Sequence, residues 1–323
     1  MTANGNMLLD AVNGSVSIDT AVLGSGHISI VADGDMLVNA DVEAGATGKT
    51  IDLYAGGSIL QASGTTIATV NGNIALDAGD DVQLVSLEAG TAGVWISALQ
   101  IVDGDGVGDA EVDIVAASAQ LIGMFGIGAA GSAIATDVDL LTAYAPNGGL
   151  FITEADGLTI GTTELNVRVV DEEGNVSATE NDAQEGLLAE TVVLTVTEGD
   201  LDVTAGELAG IGAFAPGDNL RLEAVAGSVS LAGFVAAVGD LSVLADEDIA
   251  IAAEAFVVSA LGSVDLQAGG SIAMAADSVV ATDGVDIALR AGGDITVGMV
   301  DARLSSDRDA DPQTMDDRPT GAS

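Results

Sequence analysis

The sequence has no cysteine, which excludes disulfides, thiolate nucleophiles and Cys-ligated metals together. It has one histidine, His27, and one lysine, Lys49, and Lys plus Arg number seven against fifty Asp plus Glu. A nucleic-acid binder needs clustered basic residues and none exist here; an anionic membrane surface would repel the chain. No stretch approaches eighteen uninterrupted apolar residues, so neither a transmembrane helix nor membrane insertion is expected. The first residues, Met1-Thr2-Ala3-Asn4-Gly5-Asn6, carry neither a basic nor an apolar signal region. An export signal would have to lie outside the sequence. Aromatics are 2% of the chain and prolines number four.

What is present is small, aliphatic and glycine-rich. Hydrophobic residues make up 48% of the 323, mostly Ala, Val, Ile and Leu, beside 43 glycines. That much apolar content argues against disorder despite a net charge of −43. The core it allows is thin. The charge itself suits divalent cations, a salty medium, or the solubility of a surface that would otherwise be sticky.

The organisation is a repeat. Ile51-Asp52-Leu53-Tyr54-Ala55-Gly56-Gly57-Ser58-Ile59 returns as Val264 to Ile272 and as Ile287 to Ile295, with looser copies at Ile28, Ile74 and Leu241. Alternating apolar residues read as a strand, the Gly/Asp pair as a corner, and the next alternation as another strand. Units start at Met7, Ile28, Ile51 and Ile74, and again at Leu220, Leu241, Val264 and Ile287. The two blocks, 7–87 and 220–300, lie 213 residues apart and share about 30 of 81 positions. Hairpins would demand two-residue turns between equal strands. Spacing held at the level of the whole unit instead predicts an all-β fold, a parallel β-solenoid (β-helix) of roughly 20–23-residue coils over 1–303. About 13 rungs at 4.8 Å would make a rod about 60 Å long. Outward Asp, Ser, Thr and Gln are expected to meet solvent.

Two segments break the pattern. Residues 169–187, with Asp171-Glu172-Glu173-Gly174-Asn175 and Glu180-Asn181-Asp182, read as an acidic loop extruded from the rod. Residues 304–323 read as a disordered tail or linker.

Catalytic chemistry is poorly supplied, and no catalytic or organic-cofactor residue is assigned. His27 falls just before a strand with no nucleophile beside it, and reads as a surface residue of a corner. Trp95, Tyr54 and Tyr144 are scattered along the chain, without the aromatic platform of a carbohydrate-active cleft. The local candidate is metal. Asp103-Gly104-Asp105-Gly106-Val107-Gly108-Asp109 alternates Asp with Gly, as oxygen-ligand loops for calcium do. Asp103, Asp105 and Asp109 are the candidate ligands, with a plain acidic turn as the other reading. The motif departs from an EF-hand at Val107 and Ile114.

Gly57-Ser58-Ile59, Asn73 to Gly79 and Ala155 to Gly161 carry a resemblance: these units resemble the β-strand repeats of giant bacterial surface adhesins and filamentous-haemagglutinin-like exoproteins. The resemblance covers roughly residues 7–303. It implies a secreted, extracellular or cell-surface protein acting as a stalk or adhesion surface, for example in biofilm, with a host or matrix polysaccharide or protein as partner. It does not imply an enzyme. Open solenoid ends would permit end-to-end self-association. The alternative is a β-helix that binds or cleaves carbohydrate with surface carboxylates. A concave face joining aromatics to convergent carboxylates would favour it.

Overall fold

A computed structural model describes residues 1–106, 111–205 and 211–304. Among these residues every regular element is a strand. The strands stack in parallel as a β-solenoid of about 13 turns with a spacing near 23 residues, the architecture the repeat predicts. A representative turn runs through Ile28–Ala32, Met36–Val38 and Val42–Ala44, and the next through Ile51–Ala55, Ile59–Gln61 and Ile67–Thr69. Each turn therefore has three strands and three faces. Ile28 pairs with Ile51, Met36 with Ile59 and Val42 with Ile67, without slippage.

Period-two alternation puts Ile28, Ile30, Ile51, Leu53, Ile74 and Leu76 inside, each essentially fully buried. The Ala that closes each long strand (Ala32, Ala55, Ala78) is also buried. A small residue there lets the chain turn tightly into the next face. The core is one continuous aliphatic column along the stack.

The corner residues are not simply solvent-facing. The position after each two-residue corner, most of them containing Gly, carries Ser or Asp, and its side chain receives the backbone N–H of the equivalent residue one turn on. Asp35 N–H donates to Ser15 Oγ (3.0 Å), Ser58 N–H to Asp35 Oδ1 (3.0 Å) and Asp81 N–H to Ser58 Oγ (3.4 Å). The second block repeats the order: Asp248 to Ser228 (3.4 Å), Ser271 to Asp248 (2.6 Å) and Asp294 to Ser271 (3.2 Å). Part of the acidic surplus therefore holds the corners, because a bent backbone leaves donors that the ladder does not reach.

The duplicated blocks do not sit on the same faces. Following neighbours along one ladder, Met36 leads to Ile59, Val82, Ile101, Ile127, Leu150, Val192 and then Leu220. Leu220 opens the long strand of the second block, yet it lies in line with the short strand of the first. The block recurs about one third of a turn out of phase. The shift is absorbed between them, where strands run continuously around corners: Ile114–Gly123 and the 21-residue Ile134–Glu154. In the latter the register slips between Ala145 and Gly149, at Pro146. A proline there cannot donate to the ladder, which fits a corner position.

Candidate functional site

The chain departs from plain coiling at two places, and both concentrate polar chemistry. The first is the segment after Gly161. Thr162–Thr163 pairs antiparallel with Gln184–Glu185 as a neck, and beyond it Asn166–Val170 pairs antiparallel with Val176–Glu180. This is the stretch expected to be an extruded acidic loop, and its placement differs: it is a hairpin arm folded back along the rod. Its sequence contains the reason. Leu165, Val167 and Val170 are apolar and bury against the rod, while the acidic run supplies only the exposed tip, where Asp171 Oδ1 accepts from Glu173 and Asn175 N–H.

The arm is fixed along its length by hydrogen bonds to residues far away in sequence. Val170 N–H donates to Ser29 Oγ (2.9 Å) and Arg168 N–H to Thr50 Oγ1 (3.1 Å). Asn73 Nδ2 donates to the Asn166 carbonyl (2.7 Å) and Gln120 Nε2 to that of Asp182 (2.9 Å). Thr142 and Thr163 hydroxyls meet at 2.6 Å. From the strand of Ser29 to that of Thr142 the arm crosses six strands, about 24 Å of rod at 4.8 Å per step.

His27 departs from its expected place at the surface of a corner. It is buried at the arm's far end rather than exposed. Its Nδ1 accepts the Thr50 N–H (3.1 Å), and Thr50 Oγ1 donates to the Arg168 carbonyl (2.9 Å). Burial, then the positive charges of Lys49 and Arg168, hold its pKa below the usual value.

Beneath the arm two outward columns run along the rod. One is Ser29, Asp52, Ala75, Trp95, Gln120 and Thr142; beside it run Val31, Tyr54, Asp77 and Ser97. The tryptophan and a tyrosine that look scattered in sequence thus share one surface with two carboxylates. A cavity of about 330 Å³ is lined by Asp52, Asp77, Tyr54, Trp95 and, from the arm, Asn181. A second, about 350 Å³, continues past Trp95 and Asn181 to Gln120 and Gln184. The Asp52 carboxyl is pushed up to about 6, first by burial and then by Asp77, with a Ser29 hydrogen bond opposing. Burial raises Asp77 as well. Three buried polar atoms in this groove have no partner: Trp95 Nε1, Asn181 Nδ2 and Gln120 Oε1. A buried polar atom left unpaired costs about 1–3 kcal/mol, so three in one groove is an unusual concentration among the described residues.

The second place is the acidic corner. The carboxylates of Asp103, Asp105 and Asp113 come within 4.8 Å of one another. Two of the three expected ligands, Asp103 and Asp105, are therefore brought together; the third, Asp109, lies outside the described residues. Asp113, absent from the Asp-Gly run, joins them because it ends the connection into Ile114–Gly123 and anchors there, accepting Ala135 N–H (2.7 Å). Asp103 accepts from Ser132 Oγ (2.7 Å) and from the Asp105 and Gly106 N–H groups; burial pushes its pKa up, but these bonds together outweigh it and hold the pKa below the usual value. Hard oxygen donors in a turn fit calcium.

A cleft of about 460 Å³ opens beside this corner, with Thr136 on its wall. Behind it Asp137, Glu154 and Asp156 form a second carboxylate group within 4.8 Å. Glu154 is fully buried; it accepts Thr136 Oγ1 (2.6 Å) and the Val138 and Ala155 N–H groups (3.1 and 3.0 Å). Burial outweighs these bonds and pushes its pKa up to about 7.

Comparison with protein-family models, with curated proteins and with solved structures finds no match. Any functional reading therefore rests on the geometry above.

Proposed function

We propose that this chain is a structural and adhesive segment of a secreted or cell-surface bacterial protein, a stiff acidic spacer whose sides and ends contact partners. The observation that carries it is the stack: about 13 turns on one aliphatic column, a way of spending 300 residues chiefly on length. The acidic flanks keep such a rod soluble and apart from nucleic acid and anionic membranes. The last described turn leaves Ile295, Val297 and Met299 exposed, and this supports end-to-end stacking on a further solenoid turn.

Antibodies raised to the rod provide the test. They are expected to label intact source cells, and external protease is expected to remove the signal. Labelling that requires permeabilised cells would sink the surface reading.

Within this reading the Asp103–Asp105–Asp113 corner takes calcium, which would tie together turns whose corners are otherwise held by mutual hydrogen bonds. After chelation, added Ca²⁺ is expected to raise the melting temperature by several degrees, and Asp103→Asn to abolish the rise. Melting that is identical with and without chelator removes calcium from the account. Ca²⁺ binding only the folded corner would stabilise by mass action.

A further inference from the structure

We propose that the groove between the arm and the rod is a binding site for a neutral saccharide chain. This goes beyond the spacer reading, and the two stand or fall separately.

The chemistry of the lining selects the ligand class. Trp95 and Tyr54 supply ring faces, which suit the apolar faces of sugar rings. The unpartnered atoms comprise two donors, Trp95 Nε1–H and Asn181 Nδ2–H, and one acceptor, Gln120 Oε1. All three are buried in the groove; a ligand that parts the arm from the rod and satisfies them must both accept and donate at short intervals, as hydroxyl groups do. Gln120 is essentially fully buried, and its other amide atom is fixed by Asp182, so its free oxygen is held in place rather than left to rotate. Asp52 and Asp77 add acceptors for further hydroxyls, and together they repel an anionic sugar.

Size and shape agree. The two cavities, about 330 and 350 Å³, each reach the range of small-molecule pockets. Because both are lined by Trp95 and Asn181, one chain of two or more rings would run along the rod with Trp95 at its middle. The site is assembled from turns at residues 52, 77, 95 and 120 and from the arm at 181, so it exists only in the folded rod. A short ammonium ligand would satisfy the two carboxylates and Gln120 but leave both free donors unpaired. This disfavours a cationic occupant.

Trp95 is the sole tryptophan, so intrinsic fluorescence reports this groove alone. The full chain would be titrated with cello-, xylo- and mannohexaose, with hexagalacturonate, and with N-acetyl-lysine methylamide. At least one neutral hexasaccharide is expected to give a saturable shift in Trp95 emission, with hexagalacturonate at least tenfold weaker. Asn181→Ala is expected to weaken the neutral ligand at least tenfold with an unchanged melting temperature. A chain with 166–180 replaced by Gly-Gly-Ser is expected to keep its far-ultraviolet spectrum and lose the response. Binding of the lysine derivative alone, no response to any neutral hexasaccharide, or unchanged affinity in both variants would each overturn the proposal.

Discussion

Gly79→Ala is expected to destabilise the rod by about 3 kcal/mol, near the upper end for overpacking, whereas Gly14→Ala should leave it unchanged or slightly more stable. Neither glycine is needed for a left-handed backbone. The difference lies in what a Cβ would meet. At Gly79 it would stand 2.3 Å from the carbonyl oxygen of Gly56, one turn away, and a Cβ on Gly56 would in turn stand 2.3 Å from the Asp33 carbonyl oxygen. The glycines themselves are tied into the ladder beside those carbonyls: Gly79 N–H donates to Ala55 O at 2.9 Å and Gly56 N–H to Ala32 O at 2.9 Å. The spacing between turns cannot widen locally without breaking bonds on three faces.

Gly14, at the open end, has nothing within 4 Å of the added carbon, and alanine there only reduces the freedom of the unfolded chain. Gly57 should fall between the two. Its Cβ would meet Asp35 Oδ1 at 2.2 Å, a side-chain atom that can swing away but would then release Ser58 N–H. Urea midpoints for the three variants provide the comparison. Equal midpoints for Gly79→Ala and Gly14→Ala would mean that stacked corners do not set the glycine requirement.

Stability is expected to fall as pH rises from 5 to 8. Glu154 has a folded pKa of about 7 against an ordinary glutamate value near 4.5, and Asp52 about 6 against 3.8. A raised folded value means that the native state holds the proton longer than the unfolded chain. Each group's contribution is therefore complete below its unfolded pKa and lost as pH climbs through the folded one. For fully buried Glu154 the loss reaches about 3 kcal/mol at 1.36 kcal/mol per pKa unit. His27 works in the opposite direction. Its lowered pKa makes docking of the arm complete above the unfolded value and weaker as pH falls, so it sets an acid limit. Glu154→Gln keeps acceptance from Val138 N–H and removes the titration. Its melting temperature should fall clearly less than the parent's from pH 5 to 8, the remaining drop lying near pH 5 to 6 where Asp52 still titrates. A parallel fall in both would assign the dependence elsewhere.

The architecture was legible because its cause is local and repeated. Alternation from Ile51 to Ala55, a Gly-Gly corner, and identical spacing in two distant blocks leave a parallel coil as the economical fold. The acidic corner was partly legible for the same reason, since Asp103 and Asp105 are neighbours; Asp113 was not, because its approach depends on how turns stack. The groove was invisible. Trp95 and Asp52 are 43 residues apart, and what makes them neighbours on one face is the register of intervening strands. Asn181 and Val167 both reach them only because the arm reverses direction. One signal could have been used: Leu165, Val167, Val169 and Val170 are too apolar for an extruded loop. The phase shift between blocks was equally hidden, being produced by irregular strands such as Ile134–Glu154 that no period describes.

The arm also makes the rod uneven under tension. In a plain solenoid each turn is bonded to its neighbours alone, so a pull at one end peels turns singly. Here Ser29, Thr50 and Asn73 are bound to residues 166–170, and Gln120 to Asp182. A load entering at the first turns is thus carried past them to the neck at Thr162 and Gln184, and shared across several turns before any can leave. Beyond Leu187 no described turn is bound by a comparable arm, and bonds between described turns reach neighbouring turns alone. Stretched along its axis, this protein would yield first in its second half.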